Sequence, residues 1–422
     1  MNIRHLALAA GIAAITAPGL AAATFDDCAR EAASQYEAGY EDIGRNRSEI
    51  DTAAAIAACE AALAEAPDAV AVRAWLGRAY DVAGEAEKAL PLLEAAADAG
   101  NPLAMTLFGD ILIVGDETEP DMVRGSALLQ QAADAGFAPA MDSLALSYDY
   151  GEGVEQSYET ALAWYRRAAD AGVPRAQTNV GLMYLEGLGT GRDPVAASAW
   201  LLRGATHGDA RGAYNLGKLY ETGAITDLSD YAAAIGYYQQ ASDAGYGLAS
   251  LALGYLKQQG YGTRSDPSGA AALYQYAADQ GIAQAQFNLA ILYEDGLGVS
   301  RDFARARMLY RQAADNGLSD AAANLGLLYL GQSGDTPDYE KALLFTQRAA
   351  DVGNPIALNN LGHIHEAGLG VAADPAKARE LYQRAADLGY KPGADNLARL
   401  VDIPGETPPA GPRLYPKSKI EN

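Results

Sequence analysis

The sequence predicts an all-α fold, a right-handed α-α superhelix (a solenoid) of stacked helix hairpins. Three observations point to it. The string Ala-Ala-Asp-Ala-Gly ends at Gly100, Gly136 and Gly172, and variants end at Gly208, Gly245, Gly281, Gly317, Gly353 and Gly389, so one unit of 36 or 37 residues recurs along most of the chain. Each unit carries two apolar stripes at helical spacing, parted by glycines. Of the 422 residues 50% are hydrophobic and 20% charged, which is enough apolar material for a core.

The elements follow in chain order. Arg4 and His5 open a basic stretch, Leu6 to Thr16 is apolar, Pro18-Gly19 breaks it, and Ala21-Ala22-Ala23 fits a small-residue cleavage site. Residues 1–23 therefore read as a signal peptide removed near Ala23, which implies a periplasmic or secreted protein. The apolar run is too short to span a bilayer, and no later segment is long and apolar enough. Within residues 24–100, Trp75-Leu76-Gly77, Tyr80, Gly84, Ala89 and Ala96 look like one tetratricopeptide repeat, while Ala55, Ala62 and Pro67 suit the second helix of an earlier one. The pattern from Thr24 to Asp51 is poor. The only two cysteines, Cys28 and Cys59, lie here. In an exported chain they are expected to pair, and closing a loop of about 30 residues contributes roughly 3–4 kcal/mol on the loop-entropy account.

Residues 101–389 form eight units. In the sixth, Ala285, Leu289, Leu292 and Tyr293 make one stripe, Gly296-Leu297-Gly298 interrupts it, Asp302 suits a helix N-cap, and Ala306, Leu309, Tyr310 and Ala313 make the second stripe before Gly317. Each half spans roughly a dozen residues, marginal as an isolated helix, so neighbouring units must supply its burial. Eight residues after each anchor glycine stands an apolar residue: Phe108, Leu144, Val180, Leu216, Leu253, Leu289, Leu325, Leu361 and Leu397. The next column is Gly or Ala throughout, small enough for two helices to approach closely. Tyr148, Tyr184, Tyr220, Tyr293 and Tyr329 share a further column and are expected in the core. Ala285-Gln286-Phe287-Asn288-Leu289, Tyr293, Gly296-Leu297-Gly298-Val299 and Ala313-Ala314-Asp315 together resemble the Sel-1-like repeat, a 36-residue relative of the tetratricopeptide repeat. Leu112, Lys257 and His365 depart from the tyrosine column, and Asp110 to Asp121 lacks the Gly-x-Gly turn. A closing helix is expected within 390–403, and residues 404–422, with five prolines, read as a disordered tail.

The formal charge of −23 argues against nucleic-acid and anionic-membrane partners. Two cysteines and four histidines leave little for a metal centre. His363-x-His365-Glu366 does not chelate readily, because helical residues two apart point to different sides. Gly187 to Gly191 follows a helix rather than a strand and reads as a repeat turn. Ser-x-x-Lys, Gly-x-Ser-x-Gly, His-Glu-x-x-His and Walker-type motifs are missing, so the chain reads as no enzyme and no cofactor is implied. The resemblance implies adaptor roles in assembling protein complexes, here one associated with the cell envelope. It also raises one rival, a β-lactam-binding or hydrolysing enzyme, and the inner tyrosines raise a second, a glycan or peptidoglycan binder. On the inner face of such a superhelix, the candidates for contact with a protein or peptide partner are Arg175, Arg211, Tyr214, Lys218, Tyr255, Gln284, Phe287, Asn359 and His363. Three of these are basic in an acidic chain, which points to an acidic or carboxylate-bearing segment as ligand.

Overall fold

The structure, a computed structural model, describes residues 21–332 and 336–401. Most of the proposed signal peptide (residues 1–20) and the proposed tail (404–422) lie outside the described residues. The described part holds twenty-one α-helices and no strand. It divides into two compact units, one ending at His207 and one beginning at Gly208.

The first unit opens with the helix pairs Ala21–Ala32 with Thr52–Glu65 and Val70–Val82 with Ala86–Asp98. Three 36-residue repeats follow: Pro102–Val114 with Met122–Asp134, Ala138–Tyr150 with Tyr158–Asp170, and Pro174–Glu186 with Pro194–Thr206. The second unit continues with repeats 4 to 8. Their first helices are Ala210–Thr222, Gly247–Gln259, Ala283–Asp295, Ser319–Leu327 and Pro355–Ala367, and their second helices are Tyr231–Asp243, Pro267–Asp279, Phe303–Asp315, Tyr339–Asp351 and Pro375–Asp387. Lys391–Val401 closes the series.

Local chemistry sets the helix boundaries. The second helices of all eight repeats start on a capping side chain, Ser157 in repeat 2 and an aspartate in the others; Asp302 Oδ1 accepts from the amides of Ala304 and Arg305 at 3.0 Å. Most first helices end on a glycine in the left-handed region, as Gly296 does at φ 72. In repeat 7 the first helix instead runs into a π turn, Leu328–Gln332.

The apolar column is buried in all eight repeats, from Phe108 at 4% exposure to Leu361 at 1%. The small column explains itself: a methyl added at Gly217 would stand 2.7 Å from the Tyr238 ring, and one at Gly254 2.7 Å from that of Tyr274. The column tyrosines Tyr148, Tyr184, Tyr220, Tyr293 and Tyr329 are only half-buried. Their hydroxyls reach the surface, where Arg305 donates to Tyr293 Oη at 2.7 Å and Arg311 to Tyr329 Oη at 3.1 Å. The fully buried tyrosines are those of the second helices: Tyr165, Tyr238, Tyr274, Tyr310 and Tyr382. Each donates to a polar side chain sixteen or seventeen residues earlier in its own repeat. The acceptors are Asp149 (3.5 Å), Glu221 (2.5 Å), Gln258 (2.9 Å), Glu294 (2.7 Å) and Glu366 (2.8 Å). Where the tyrosine is replaced by Leu129, Leu201 or Thr346, the acceptor position holds Ile113, Leu185 or Leu330. A buried phenol needs a partner, and the sequence supplies one where the tyrosine exists; the Thr346 hydroxyl has none among the described residues.

Candidate functional site

The inward positions of the first helices are built from a few columns, and the structure divides the nine candidates among different environments. Arg175 stands in the first unit. Its guanidinium pairs with the buried carboxylate of Asp142, whose neighbour Ser143 donates to Asp110 Oδ2 at 3.2 Å. Desolvation raises the Asp110 carboxyl to about 6, against the pull of Arg175. Arg175, itself exposed, is therefore part of an ion pair spanning two first helices, beside a second acid, Asp110.

The other candidates belong to the second unit. Lys218 is exposed, with its Nζ 5.8 Å from the centre of the Tyr214 ring. Tyr214 also packs against Tyr246 at 5.2 Å and Tyr238 at 5.7 Å, and burial raises its phenol. Arg211 is half-buried one helical turn before Asn215, which donates to the Arg211 carbonyl at 2.8 Å. Tyr255 meets Tyr261 at 6.1 Å, and Tyr261, itself 42% exposed, stacks on Tyr231 at 5.1 Å. Gln284 spends one amide hydrogen on Asn288 at 3.0 Å. His363 is half-buried; desolvation lowers its imidazole and leaves it neutral near pH 7.

Two candidates are corrected. Phe287 is 1% exposed and packs on the Tyr310 ring at 5.7 Å. Asn359 is fully buried and accepts from Asn396 of the closing helix at 2.9 Å. Both stand six residues after the anchor glycine. So do Thr106, Asp142, Thr178, Leu251 and Ala323, all buried. Asp142 meets the next first helix, Asn359 the closing helix and Phe287 the second helix of its own repeat, so this column is consumed by packing. Tyr214 is the half-buried exception.

Sequence reasoning missed a cluster in the first unit. Trp75, Arg78 and Asp81 form a stripe on Val70–Val82, and the segment after the first helix is laid over it. Its signal was the length of the connection between the first two helices, residues 33–51, against 115–121 or 151–157 later on. Cys28 and Cys59 flank this connection and are joined by a disulfide, which suits an oxidising compartment. Among the described residues no helix is long and apolar enough to cross a membrane, and no group of three or more His, Cys, Asp or Glu could hold a metal ion.

Comparison with known proteins follows the same division. The Sel1 repeat matches residues 102–137, 138–173, 174–209, 210–246, 247–282, 283–318, 319–354 and 355–390, and a tetratricopeptide repeat matches residues 48–107. No curated protein sequence matches the chain. Among solved structures, the chain is similar to a protective antigen of uropathogenic Escherichia coli strains displaying an SLR fold, at 32% identity and a TM-score of 0.66, over 73% of this chain and 66% of that one. It thus spans just under two thirds of that antigen. It is also similar to a Sel1 repeat protein from Oxalobacter formigenes, at 28% identity and a TM-score of 0.54, over 74% of this chain and 89% of that one. Helix-hairpin repeats of this kind are typically non-catalytic scaffolds, and their surfaces suit protein–protein interaction. With eight matched repeats over most of its length, the chain belongs to the Sel1 repeat proteins.

Proposed function

We propose that the protein is an exported scaffold, an adaptor that holds components of an envelope-associated complex together. In this reading residues 1–23 are a leader cleaved near Ala23, residues 24–100 an N-terminal cap of tetratricopeptide-like pairs, residues 101–389 the binding array, 390–403 its closing helix and 404–422 a solvated tail. The disulfide supports export, because such bonds persist in oxidising compartments.

The observation that carries the binding role is the tyrosine and lysine group on repeat 4. Lys218, Tyr214 and Tyr246 offer a cation and aromatic faces beside Arg211, and an acidic peptide segment satisfies both. Such a ligand also suits a chain that is otherwise strongly negative, since the partner is drawn to its few inward cations. The variant Arg211→Glu with Lys218→Glu, used in a crosslinking pull-down from the native periplasm, is expected to lose the captured partner. Unchanged capture rejects the groove. The half-exposed Tyr231–Tyr261 stack favours a second reading, a glycan binder, because sugar rings lie on aromatic faces. Co-sedimentation with cell-wall sacculi that survives both charge reversals, and is lost on Tyr261→Ala, selects that alternative.

A further inference from the structure

The connection between the first two helices is a run of turns laid on one stripe of the third helix. Arg78 stands ninth in Val70–Val82, the register position held by Lys218 in Ala210–Thr222, Tyr255 in Gly247–Gln259 and His363 in Pro355–Ala367. It is 6% exposed, and its guanidinium donates to the main-chain carbonyls of Ala32 (3.0 Å) and Arg45 (2.8 Å). Trp75, fully buried, donates its indole N–H to the Glu37 carboxylate at 3.0 Å. Arg47 pairs with Asp81. Tyr40 lies edge-on to Trp75 at 5.1 Å.

These contacts are those of peptide recognition rather than of core packing. The buried Arg78 guanidinium bonds the last carbonyl of the first helix and one main-chain carbonyl of the guest, while the indole and Asp81 meet guest side chains. The segment is built of successive turns and one 3-10 turn at Arg47–Glu49, and it buries few large apolar side chains. Its buried ions are costly: desolvation raises Glu37 and lowers Arg78 to about 10. The far end of the chain is covered differently, by the regular helix Lys391–Val401. The Cys28–Cys59 bond encloses the segment, so residues 33–51 can leave while the flanking helices stay joined.

We propose that the Trp75–Arg78–Asp81 stripe is a peptide-binding site that the chain's own residues 34–47 keep closed. Its ligand is a turn-forming segment offering a carboxylate to the indole, one main-chain carbonyl to the guanidinium beside the helix-end carbonyl of Ala32, and a cationic side chain to Asp81. The site is separate from the repeat-4 group and does not depend on it.

The test uses the full chain with residues 35–48 replaced by a seven-residue Gly-Ser linker, and a fluorescent synthetic peptide of residues 33–50. The linker variant is expected to bind the peptide saturably and at least about tenfold more tightly than the unaltered chain does. Arg78→Met in the linker background is expected to abolish binding. A linker variant that keeps its helical circular dichroism yet fails to bind overturns the proposal. Should that variant not fold, hydrogen exchange on the unaltered chain decides. The amides of Gly44 and Arg45, which bond Tyr40 O and Ala33 O, are expected to exchange at least about a hundredfold faster than those of Val70–Val82. Equal protection shows a permanent cap and sinks the idea.

Discussion

The N-terminal helix pairs and repeats 5 and 6 solve the same problem by opposite means. In the repeats, order comes from recurrence. Tyr274 and Tyr310 each fill the space left by a small residue and reach back to Gln258 or Glu294, and Asn324 donates to the Tyr310 hydroxyl at 3.4 Å. At the N-terminus the helix pairs recur, but the connection over 33–51 has no counterpart in the repeats. One disulfide, one buried arginine and one indole–carboxylate contact do the holding. The difference teaches that a solenoid's interior is cheap to specify, whereas its end needs links placed one at a time, since an end repeat has a neighbour on one side only.

The largest blow to this contrast is Tyr310→Ala. It removes a fully buried ring and its hydrogen bonds, and a loss of about 3–5 kcal/mol is expected from urea unfolding of the whole chain. A loss under about 1 kcal/mol would show that the recurrent ring is not what holds the repeats. Next comes Cys28→Ser with Cys59→Ser, expected to cost about 3 kcal/mol and to act locally. Hydrogen exchange should quicken in 21–65 while 283–315 is unchanged; equal quickening in both segments breaks the contrast. The smallest effect sharpens it. Glu294→Leu alone takes away the Tyr310 hydroxyl's acceptor and leaves only the Asn324 contact, but Glu294→Leu with Tyr310→Leu recreates the apolar pairing of Leu129 with Ile113 and Leu201 with Leu185. The double variant should be more stable than the sum of the singles by about 1 kcal/mol. Strict additivity would mean that the two side chains are uncoupled.

Much of the array was legible in the sequence. The period, the apolar column, the small column and the Asp302 cap all report local geometry, which repeats as the residues do. The inner face was legible only in part. Residues six and ten after the anchor glycine are four apart and share one helical stripe, so Tyr214 and Lys218, or Asn359 and His363, look equivalent. Which of the two is covered depends on how the next first helix crosses, and that is a property of stacking. The pairing of the deeply buried tyrosines with their acceptors was missed for another reason, although Tyr310 itself stands in the expected second stripe. Single columns were compared, and the matching of position to position within one unit shows only when two columns are read together. The segment from 33 to 51 has no period, because its contacts are to Trp75, Arg78 and Asp81, more than twenty residues away.

The tyrosine ladder also bears on how such a chain can grow. Tyrosine and acceptor lie within one unit, so a tandem duplication copies both, and the new unit arrives already satisfied. The asparagine contact crosses the unit boundary, from Asn324 back to Tyr310, and is inherited only if the neighbour is right. Repeat 8 shows the mismatch: Asn360 follows a unit with Thr346 in place of tyrosine, and among the described residues the Asn360 Nδ2 and Thr346 Oγ1 are both buried without a hydrogen-bond partner. A unit whose buried hydroxyl is satisfied internally can be copied whole, and the seam between repeats 7 and 8 is where the contact across the boundary is missing.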